Sequence, residues 1–264
     1  MDSSIFERIV CGIDGTDESR EAVSQVARLA SESSRVILCS VWNTGASIAM
    51  GWSPAIARTA AFPKDELTAA VDATRELLPQ SLAVQTVVVE GPPGPMMLTE
   101  LERHQATLVA LGSHDHRRLM GIVLGSVTTQ LLHESPCPVL LARAPRGNGF
   151  PAKVTVAADG SAESVRAIEV AAAIARRLAT PFDAVVTTGG DASIDLEAVR
   201  AALHTAVGQD APLRVDPDPP VEALTRIETD LLVMGSRGLH GMKSLGSVSE
   251  RVAHEARCSV LVVR

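Results

Sequence analysis

Short apolar runs alternate along the first half of the chain with segments whose apolar residues recur at helical spacing. Ala22, Val26 and Leu29 have that spacing, and with Thr16 or Asp17 as a cap they predict a helix over about 16–31. The apolar runs are rich in Val and Leu and end at Gly, Pro or Asp, which predicts strands. The predicted strands are 8–13, 36–42, 83–89, 107–111 and 139–142, and the further helices are 63–78, 95–104 and one opening at Gly125-Ser126. Such alternation predicts an α/β fold with a parallel sheet covered by helices on both faces.

The second half of the chain repeats this order. Residues 124–143 recur as 245–264 with ten of twenty positions identical, and two copies of one unit predict tandem domains. The predicted domains are 1–145 and 152–264, because the connecting stretch is rich in Gly and Pro. The second-half strands are predicted at 154–158, 182–188, 213–215 (a weak strand), 231–234 and 259–263, with helices at 163–178 and from Gly246-Ser247 onward. The second domain is shorter, mainly because it has no counterpart of the irregular segment 43–62.

Composition and charge exclude several classes of protein. The net charge of −7 and the absence of a long Lys/Arg run argue against nucleic-acid binding. No apolar stretch is long enough to span a membrane, and the acidic N-terminal residues do not resemble an export signal, so we expect a cytoplasmic protein. Four cysteines occur without CxxC spacing, which predicts small apolar core residues in a reducing compartment and no metal site.

The candidate chemistry lies where the predicted strands end. Asp14 and Asp159 each follow a first strand, and Gly112 and Gly235 each end a fourth strand. In a doubly wound sheet the first and fourth strands flank a crevice at the carboxyl edge, which is where such folds bind ligands. A carboxylate there suits a ribose hydroxyl or a base amine, and glycines before a helix N-terminus suit phosphates.

These motifs resemble the universal stress protein family. The resemblance is carried by DGTDES at 14–19 with the glycine loop leading into GSV and HESPCPVL, and by DGSAES at 159–164 with GSRG and LGSVSERVAHEARCSVLVVR. It covers essentially the whole chain as two copies. It implies two tandem flavodoxin-like, doubly wound sheets of five parallel strands in the order 3-2-1-4-5, arranged as an internal pseudo-dimer. It also implies that ATP or a related adenine nucleotide binds as a regulatory ligand in a stress response.

Carried over position by position, the resemblance predicts a set of nucleotide-binding residues. They are Asp14, Val41, Gly112, Asp115, Gly125, Ser126, Val127, Asp159, Gly235, Gly238, Gly246, Ser247 and Val248. Val41 is expected to offer its backbone to the adenine, and Thr188 is expected at the same place in the second copy. ATP is the expected cofactor, with Mg²⁺ as a candidate companion.

Both copies depart from the ATP-binding pattern G-x2-G-x9-G-(S/T). In the first copy Asp115 replaces the second glycine, which adds repulsion toward phosphates and removes the close backbone approach that glycine permits. Mg²⁺ or the neighbouring His116, Arg117 and Arg118 would soften that repulsion. In the second copy the glycines are intact, but only seven residues separate Gly238 from Gly246. The sequence therefore leaves open which domain binds a nucleotide.

Plainer readings of the same residues also stay open. Asp14 and Asp159 would serve as turn caps without any ligand, and Ser126 and Ser247 as helix N-caps. An interaction module of the same fold that binds no nucleotide is the alternative function. No nucleophile–base pair or catalytic motif occurs, so we expect no enzyme activity beyond slow, incidental ATP hydrolysis.

The last strand of each copy predicts how the domains associate. Residues 139–142 and 259–263 are apolar and lie at a sheet edge in this topology, and exposed apolar edges tend to pair. Family members pair through this edge, so the two domains are expected to form an internal pseudo-dimer. Protein partners and a homodimer of whole chains are further expectations that the sequence leaves open.

Overall fold

The computed structural model describes residues 5–43, 64–113, 125–145, 147, 149–189, 194–208, 211–236 and 246–264. In the first half (repeat 1) it shows β1 (Arg8–Gly12), α1 (Asp17–Leu29), β2 (Arg35–Trp42), α2 (Lys64–Arg75), β3 (Ala83–Glu90), α3 (Pro93–Arg103), β4 (Leu108–Gly112), α4 (Ser126–Glu134) and β5 (Val139–Ala142). In the second half (repeat 2) it shows β6 (Val154–Ala157), α5 (Ala162–Leu178), β7 (Phe182–Thr187), α6 (Leu196–Val207), β8 (Leu213–Asp216), α7 (Pro220–Thr225), β9 (Leu231–Gly235), α8 (Ser247–Glu255) and β10 (Ser259–Val263).

The strands form one ten-stranded sheet in the order β3-β2-β1-β4-β5-β10-β9-β6-β7-β8. Each repeat has the doubly wound order 3-2-1-4-5, so the predicted fold class is confirmed. All pairings within a repeat are parallel, while β5 and β10 pair antiparallel, with Leu140 opposite Leu261. The predicted pairing of the two last strands is therefore confirmed, and it joins the repeats edge to edge.

Helices cover both faces of this sheet and enclose two apolar layers. One layer contains residues of α1, α2, α5 and α6, and the other contains residues of α3, α4, α7 and α8. Each layer runs through both repeats without interruption. The central strands β4, β5, β9 and β10 are buried on both faces, which explains their unbroken apolar sequences.

Two helices of repeat 2 were not predicted. Helix α6 begins after Asp195, whose carboxylate accepts a hydrogen bond from the backbone N–H of Ala198 at 2.9 Å. Aspartate is a typical N-cap residue, so the sequence contains a signal for this helix that the prediction did not use. Helix α7 has six residues and starts at Pro220, so it is too short to show a helical period.

One predicted equivalence is wrong by one residue. Ile13 N–H donates to the Cys39 carbonyl at 2.8 Å, and Ala158 N–H donates to the Val185 carbonyl at 3.0 Å. Cys39 and Val185 are therefore equivalent positions. Counting two residues on from Cys39 and from Val185 shows that Val41 corresponds to Thr187. Thr188, the predicted counterpart of Val41, corresponds to Trp42 instead.

Two arginines hold the repeats together in a reciprocal way. Arg143, which follows β5, donates from its guanidinium to the carbonyls of Cys258 at 3.0 Å and Ala253 at 2.5 Å, at the C-terminal end of α8. Arg264, which follows β10, donates to the carbonyls of Leu131 at 3.3 Å and Leu132 at 2.5 Å in α4. Each guanidinium thus satisfies carbonyls near the C-terminus of a helix in the other repeat, where a positive charge is favourable.

The structure also bears on two expectations drawn from composition. All four cysteines are free and buried, as predicted. In the described part of the chain, no helix is long and apolar enough to cross a membrane.

The buried Arg143 provides a test of the inter-repeat contact. Arg143→Met keeps the aliphatic stem but removes the hydrogen bonds to the carbonyls of Ala253 and Cys258, so we expect a loss of about 2 kcal/mol in the free energy of unfolding. Chemical denaturation monitored by circular dichroism measures this loss. Arg20→Met, on the exposed side of α1, is the control and should change stability by less than about 0.5 kcal/mol. Equal stability of the two variants would contradict a structural role for Arg143.

The cysteines provide a second test. Burial raises the pKa of the Cys11 and Cys137 thiols, and it raises the pKa of Cys39 to about 12. Because the thiolate is the reactive form, we expect the native protein to react slowly with a thiol reagent at pH 8. All four thiols should react at once after denaturation in guanidinium chloride. Rapid labelling of the native chain would show that the core opens more readily than this packing implies.

Candidate functional site

The candidate site of repeat 1 lies at the carboxyl edge of the sheet, between β1 and β4. These strands are neighbours, while the chain leaves β1 toward β2 on one side and leaves β4 toward β5 on the other. This is the point where the strand order reverses, as predicted, and crevices at such points bind ligands in open α/β sheets. In repeat 2 the equivalent point lies between β6 and β9. Because β5 and β10 are antiparallel, the two crevices open at opposite edges of the sheet.

The aspartate that follows each first strand stabilises a turn. Asp14 Oδ1 accepts hydrogen bonds from Thr16 N–H at 3.1 Å and from Thr16 Oγ1–H at 2.6 Å. Asp159 Oδ1 accepts the equivalent bonds from Ser161 at 2.9 and 2.6 Å. The glycine between them, Gly15 or Gly160, has a φ of +84° or +88°, a conformation that other residues rarely adopt. Both aspartates therefore cap a turn, as the alternative interpretation predicted, and each uses its Oδ1 atom for this.

The turn leads directly into the next helix. Thr16 and Ser161 are the N-caps of α1 and α5, and their side chains accept hydrogen bonds from Ser19 N–H and Ser164 N–H, each at 3.2 Å. The segment from Asp14 to Ser19 thus forms a connected polar turn, and its copy begins at Asp159. Of the two predicted caps of the first helix, Thr16 and Asp17, the structure shows Thr16.

Gly112 and Gly235 have a packing role at the ends of β4 and β9. A Cβ atom on Gly112 would lie 2.6 Å from the carbonyl oxygen of Glu18 and 2.6 Å from the Ser19 nitrogen, in the first turn of α1. A Cβ atom on Gly235 would lie 2.9 Å from the Glu163 backbone in α5. Both distances are too short for a side chain. The close approach of helix to strand therefore requires glycine at these positions, whatever ligand binds nearby.

The helix that follows each glycine loop starts without a side-chain cap. Gly125 is the N-cap of α4 and Gly246 is the N-cap of α8. Neither glycine has a side chain that could accept a hydrogen bond from the backbone N–H groups of the first helical turn. The alternative in which Ser126 and Ser247 act as N-caps is wrong, because both are the first residue inside their helices. Both serines are exposed, and Val127 and Val248 are half-buried. The first backbone N–H groups of such a helix are suited to binding an anion.

Val41 lies near the end of β2 and its side chain is buried. The Cys39 carbonyl points toward β1, where it accepts the hydrogen bond from Ile13 N–H. Backbone groups two residues apart in a strand point to the same side, so those of Val41 face the crevice beyond the end of β1. This geometry is compatible with the expected contact between the Val41 backbone and a base.

Ser113 is a residue of the crevice that sequence reasoning missed. It follows β4 directly, it is 4% exposed, and its backbone N–H donates to the Ala142 carbonyl at 3.0 Å. Its hydroxyl is buried and has no hydrogen-bond partner within the part of the chain that the structure describes. A buried hydroxyl without a partner is unfavourable, so this edge of the crevice has an unused polar group. No sequence signal separates it from Ser236, its counterpart in repeat 2.

Two of the predicted binding residues, Asp115 and Gly238, lie outside the described residues, as do His116, Arg117 and Arg118. Among the residues that are described, no group of three His, Cys, Asp or Glu side chains could hold a metal ion. The structure thus brings Asp14, Val41, Gly112, Gly125, Ser126 and Val127 to one edge of the sheet. Asp159, Gly235, Gly246, Ser247 and Val248 lie at the opposite edge.

A separate cavity of about 560 Å³ lies on repeat 2, away from both crevices. It is lined by Lys153, Arg214, Asp216, Arg226, Ile227 and Glu228. Two of its cations are already paired, since Lys153 Nζ lies 2.7 Å from Asp183 Oδ2 and Arg226 binds Asp216 at 3.1 Å. A hydrogen bond from Asp218 N–H, followed by the Arg226 contact, lowers the pKa of Asp216. We therefore regard this cavity as part of a structural ion-pair network.

Comparisons with known proteins identify the same family for both repeats. The Universal stress protein family matches residues 5–143 and again residues 152–264. A universal stress protein of Mycobacterium tuberculosis is 30% identical over 212 residues, which is 70% of each chain.

Solved structures with this fold cover nearly the whole chain. The crystal structure of a universal stress protein from Archaeoglobus fulgidus covers 99% of both chains with a TM-score of 0.72 and 20% identity. A putative universal stress protein from Pseudomonas aeruginosa covers 98% of this chain and 93% of its own, with a TM-score of 0.68 and 17% identity. At these identities the likeness concerns the fold alone.

The turn at Asp14 can be tested separately from any ligand. Asp14→Ala removes the acceptor of two hydrogen bonds, so we expect a loss of about 1 kcal/mol in the free energy of unfolding. Asp14→Asn keeps an oxygen that accepts both bonds and should stay within about 0.5 kcal/mol of the wild type. Urea denaturation of both variants gives the comparison, with the same pair at Asp159 as an internal repeat. If Asn destabilises as much as Ala, the charge and not the turn is what matters.

Proposed function

The chain belongs to the universal stress protein family, and we propose that it binds ATP or a related adenine nucleotide as a regulatory ligand in a cytoplasmic stress response. The nucleotide occupies a crevice at the carboxyl edge of the sheet. Asp14 faces the ribose or base with the carboxylate oxygen that the turn does not use. The Val41 backbone contacts the base, and the N-terminus of α4 receives the phosphates.

The observation that carries this proposal is the uncapped N-terminus of α4 beside the strand-order reversal. The backbone N–H groups of Ser126 and Val127 have no Gly125 side chain to satisfy them, and the helix dipole favours an anion at this end. The phosphates of a nucleotide would accept hydrogen bonds from these N–H groups, with the base of the nucleotide toward β2. The family match supports this assignment, because the family resemblance implies an adenine nucleotide in this crevice.

The proposed role is regulatory. Catalysis of phosphoryl transfer needs a positioned base or water-orienting group and charge-stabilising residues. The described residues of the crevice provide a turn-bound aspartate, the Ser113 hydroxyl and backbone N–H groups. Occupancy would instead shift the protein between forms that differ in affinity for the nucleotide, and a protein partner would respond to the surface of the occupied form. Mg²⁺ would accompany ATP where it offsets the charge of Asp115.

Binding of ATP to the purified full-length chain tests this proposal. We expect isothermal titration calorimetry with Mg-ATP to show saturable binding, and mass spectrometry to identify any nucleotide released from the protein on denaturation. Asp115→Gly restores the second glycine of the ATP-binding pattern and should tighten binding about fivefold or more, which corresponds to about 1 kcal/mol of the repulsion expected between a carboxylate and phosphates. Glu32→Gly, which removes an exposed carboxylate from the turn between α1 and β2, is the control and should leave the affinity unchanged.

The opposite outcome is equally informative. If neither the wild type nor Asp115→Gly binds or releases a nucleotide, the chain is an interaction module of the same fold that acts through its surface alone. In that case Asp115, which replaces the second glycine of the ATP-binding pattern, is a sign that nucleotide binding has been lost.

A further inference from the structure

We propose that repeat 1 contains the single nucleotide site of this chain, and that the backbone of repeat 2 closes the equivalent crevice. This inference rests on the proposed function and adds to it the location and the stoichiometry of binding. The two crevices come from one repeated unit, so each difference between them can be compared position by position. Four independent differences point the same way.

The first difference lies above the aspartate turn. In repeat 2, a Cβ atom on Gly160 would lie 2.6 Å from the Asp195 carbonyl oxygen, and Asp195 N–H donates to the Asp159 carbonyl at 2.9 Å. The start of α6 therefore lies directly on the turn. In repeat 1, a Cβ atom on Gly15 would approach Ala70 at 3.6 Å, which is an ordinary contact. The space over the turn is thus filled by backbone in repeat 2, while the nearest described group in repeat 1 is the Ala70 methyl.

The second difference lies at the end of the second strand of each repeat. Gly189 follows β7, and a Cβ atom there would lie 2.5 Å from the Pro217 oxygen and from the Pro219 nitrogen. The chain after β7 is therefore in direct backbone contact with the turn before α7. The equivalent position in repeat 1 is Asn43, which has a buried side chain. The backbone approach at Gly189 leaves no room for such a side chain in repeat 2.

The third difference concerns the phosphate end. In repeat 2, Gly246 N–H donates to the Ser236 carbonyl at 2.8 Å, and Ser249 Oγ–H donates to the Gly235 carbonyl at 2.8 Å. These bonds tie the first turn of α8 to the end of β9. Within the described part of repeat 1, no such bond joins Gly125 or Thr128 to the end of β4. The start of α8 is therefore fixed to β9 by bonds for which the described part of repeat 1 shows no equivalent at α4.

The fourth difference is electrostatic. The first turn of α8 contains Glu250, whereas the first turn of α4 contains no acidic residue. Glu250 Oε1 lies 3.3 Å from His133 Nε2 of α4, so this carboxylate contacts the other repeat, and its charge offsets part of the positive end of the α8 dipole. Repeat 1 also has the buried hydroxyl of Ser113 beside its crevice, which has no hydrogen-bond partner among the described residues. Each of these features favours an anion in repeat 1.

A matched pair of substitutions tests the inference. Ser126 and Ser247 are both exposed and both are the first residue of their helices. Ser126→Asp and Ser247→Asp place the same carboxylate at the two helix starts, where an acidic residue favours the helix, so neither variant should unfold. We expect Ser126→Asp to weaken Mg-ATP binding at least tenfold, because the new charge lies against the phosphates. Ser247→Asp should leave both the affinity and a stoichiometry of one nucleotide per chain unchanged.

The outcomes separate this inference from the proposed function. Two nucleotides per chain, or a loss of binding in Ser247→Asp with binding retained in Ser126→Asp, would overturn the assignment to repeat 1 while leaving nucleotide binding established. No binding by the wild-type chain would overturn both. Thermal unfolding of each variant in the absence of nucleotide shows whether any change in titration reflects a change in fold.

Discussion

The antiparallel pairing of β5 with β10 is the constraint on which the rest of the architecture depends. These strands turn two five-stranded sheets into one sheet in which both become interior strands, and interior strands leave no exposed edge at the junction. The pairing also reverses the direction of one half relative to the other. The carboxyl edges, and with them the two crevices, therefore face opposite ways. The two crevices are therefore separate sites at opposite edges of one sheet.

The reciprocal contacts of Arg143 and Arg264 follow from the same symmetry. A two-fold relation brings the end of each last strand beside the C-terminus of the last helix in the other repeat, where carbonyl groups lack helical partners. A guanidinium with several donors fits that need. The junction is thus secured by apolar strands at its centre and by charged groups at both ends. These contacts come from β5, β10 and the C-terminal ends of α4 and α8, and each involves parts of both repeats.

The sequence predicted the layout well and the state of the site poorly, for physical reasons. Apolar runs such as 139–142 and 259–263 determine strands and their burial, so the sheet order and the edge pairing followed from local pattern and the family resemblance. Short elements such as α7 lack a period to detect. The one-residue shift at Thr188 arose because FDAVVTT at 182–188 contains no residue that fixes its alignment with RVILCSV at 35–41. Whether a crevice is open depends on distances between segments remote in sequence, such as Asp195 and Gly160. Those distances are properties of packing, which a linear pattern does not contain.

The features that the two repeats share are those that the fold itself needs. The turn around Asp14 recurs around Asp159 with the same hydrogen bonds, and the close helix–strand contact at Gly112 recurs at Gly235. The local fold alone requires each of these features. Their presence in both copies is therefore no evidence that both crevices bind a ligand. The informative positions are those where one copy lacks what the other has: the backbone over Gly160 and the acid in the first turn of α8. A shared motif identifies the fold, and the differences between its copies indicate which crevice is suited to a ligand.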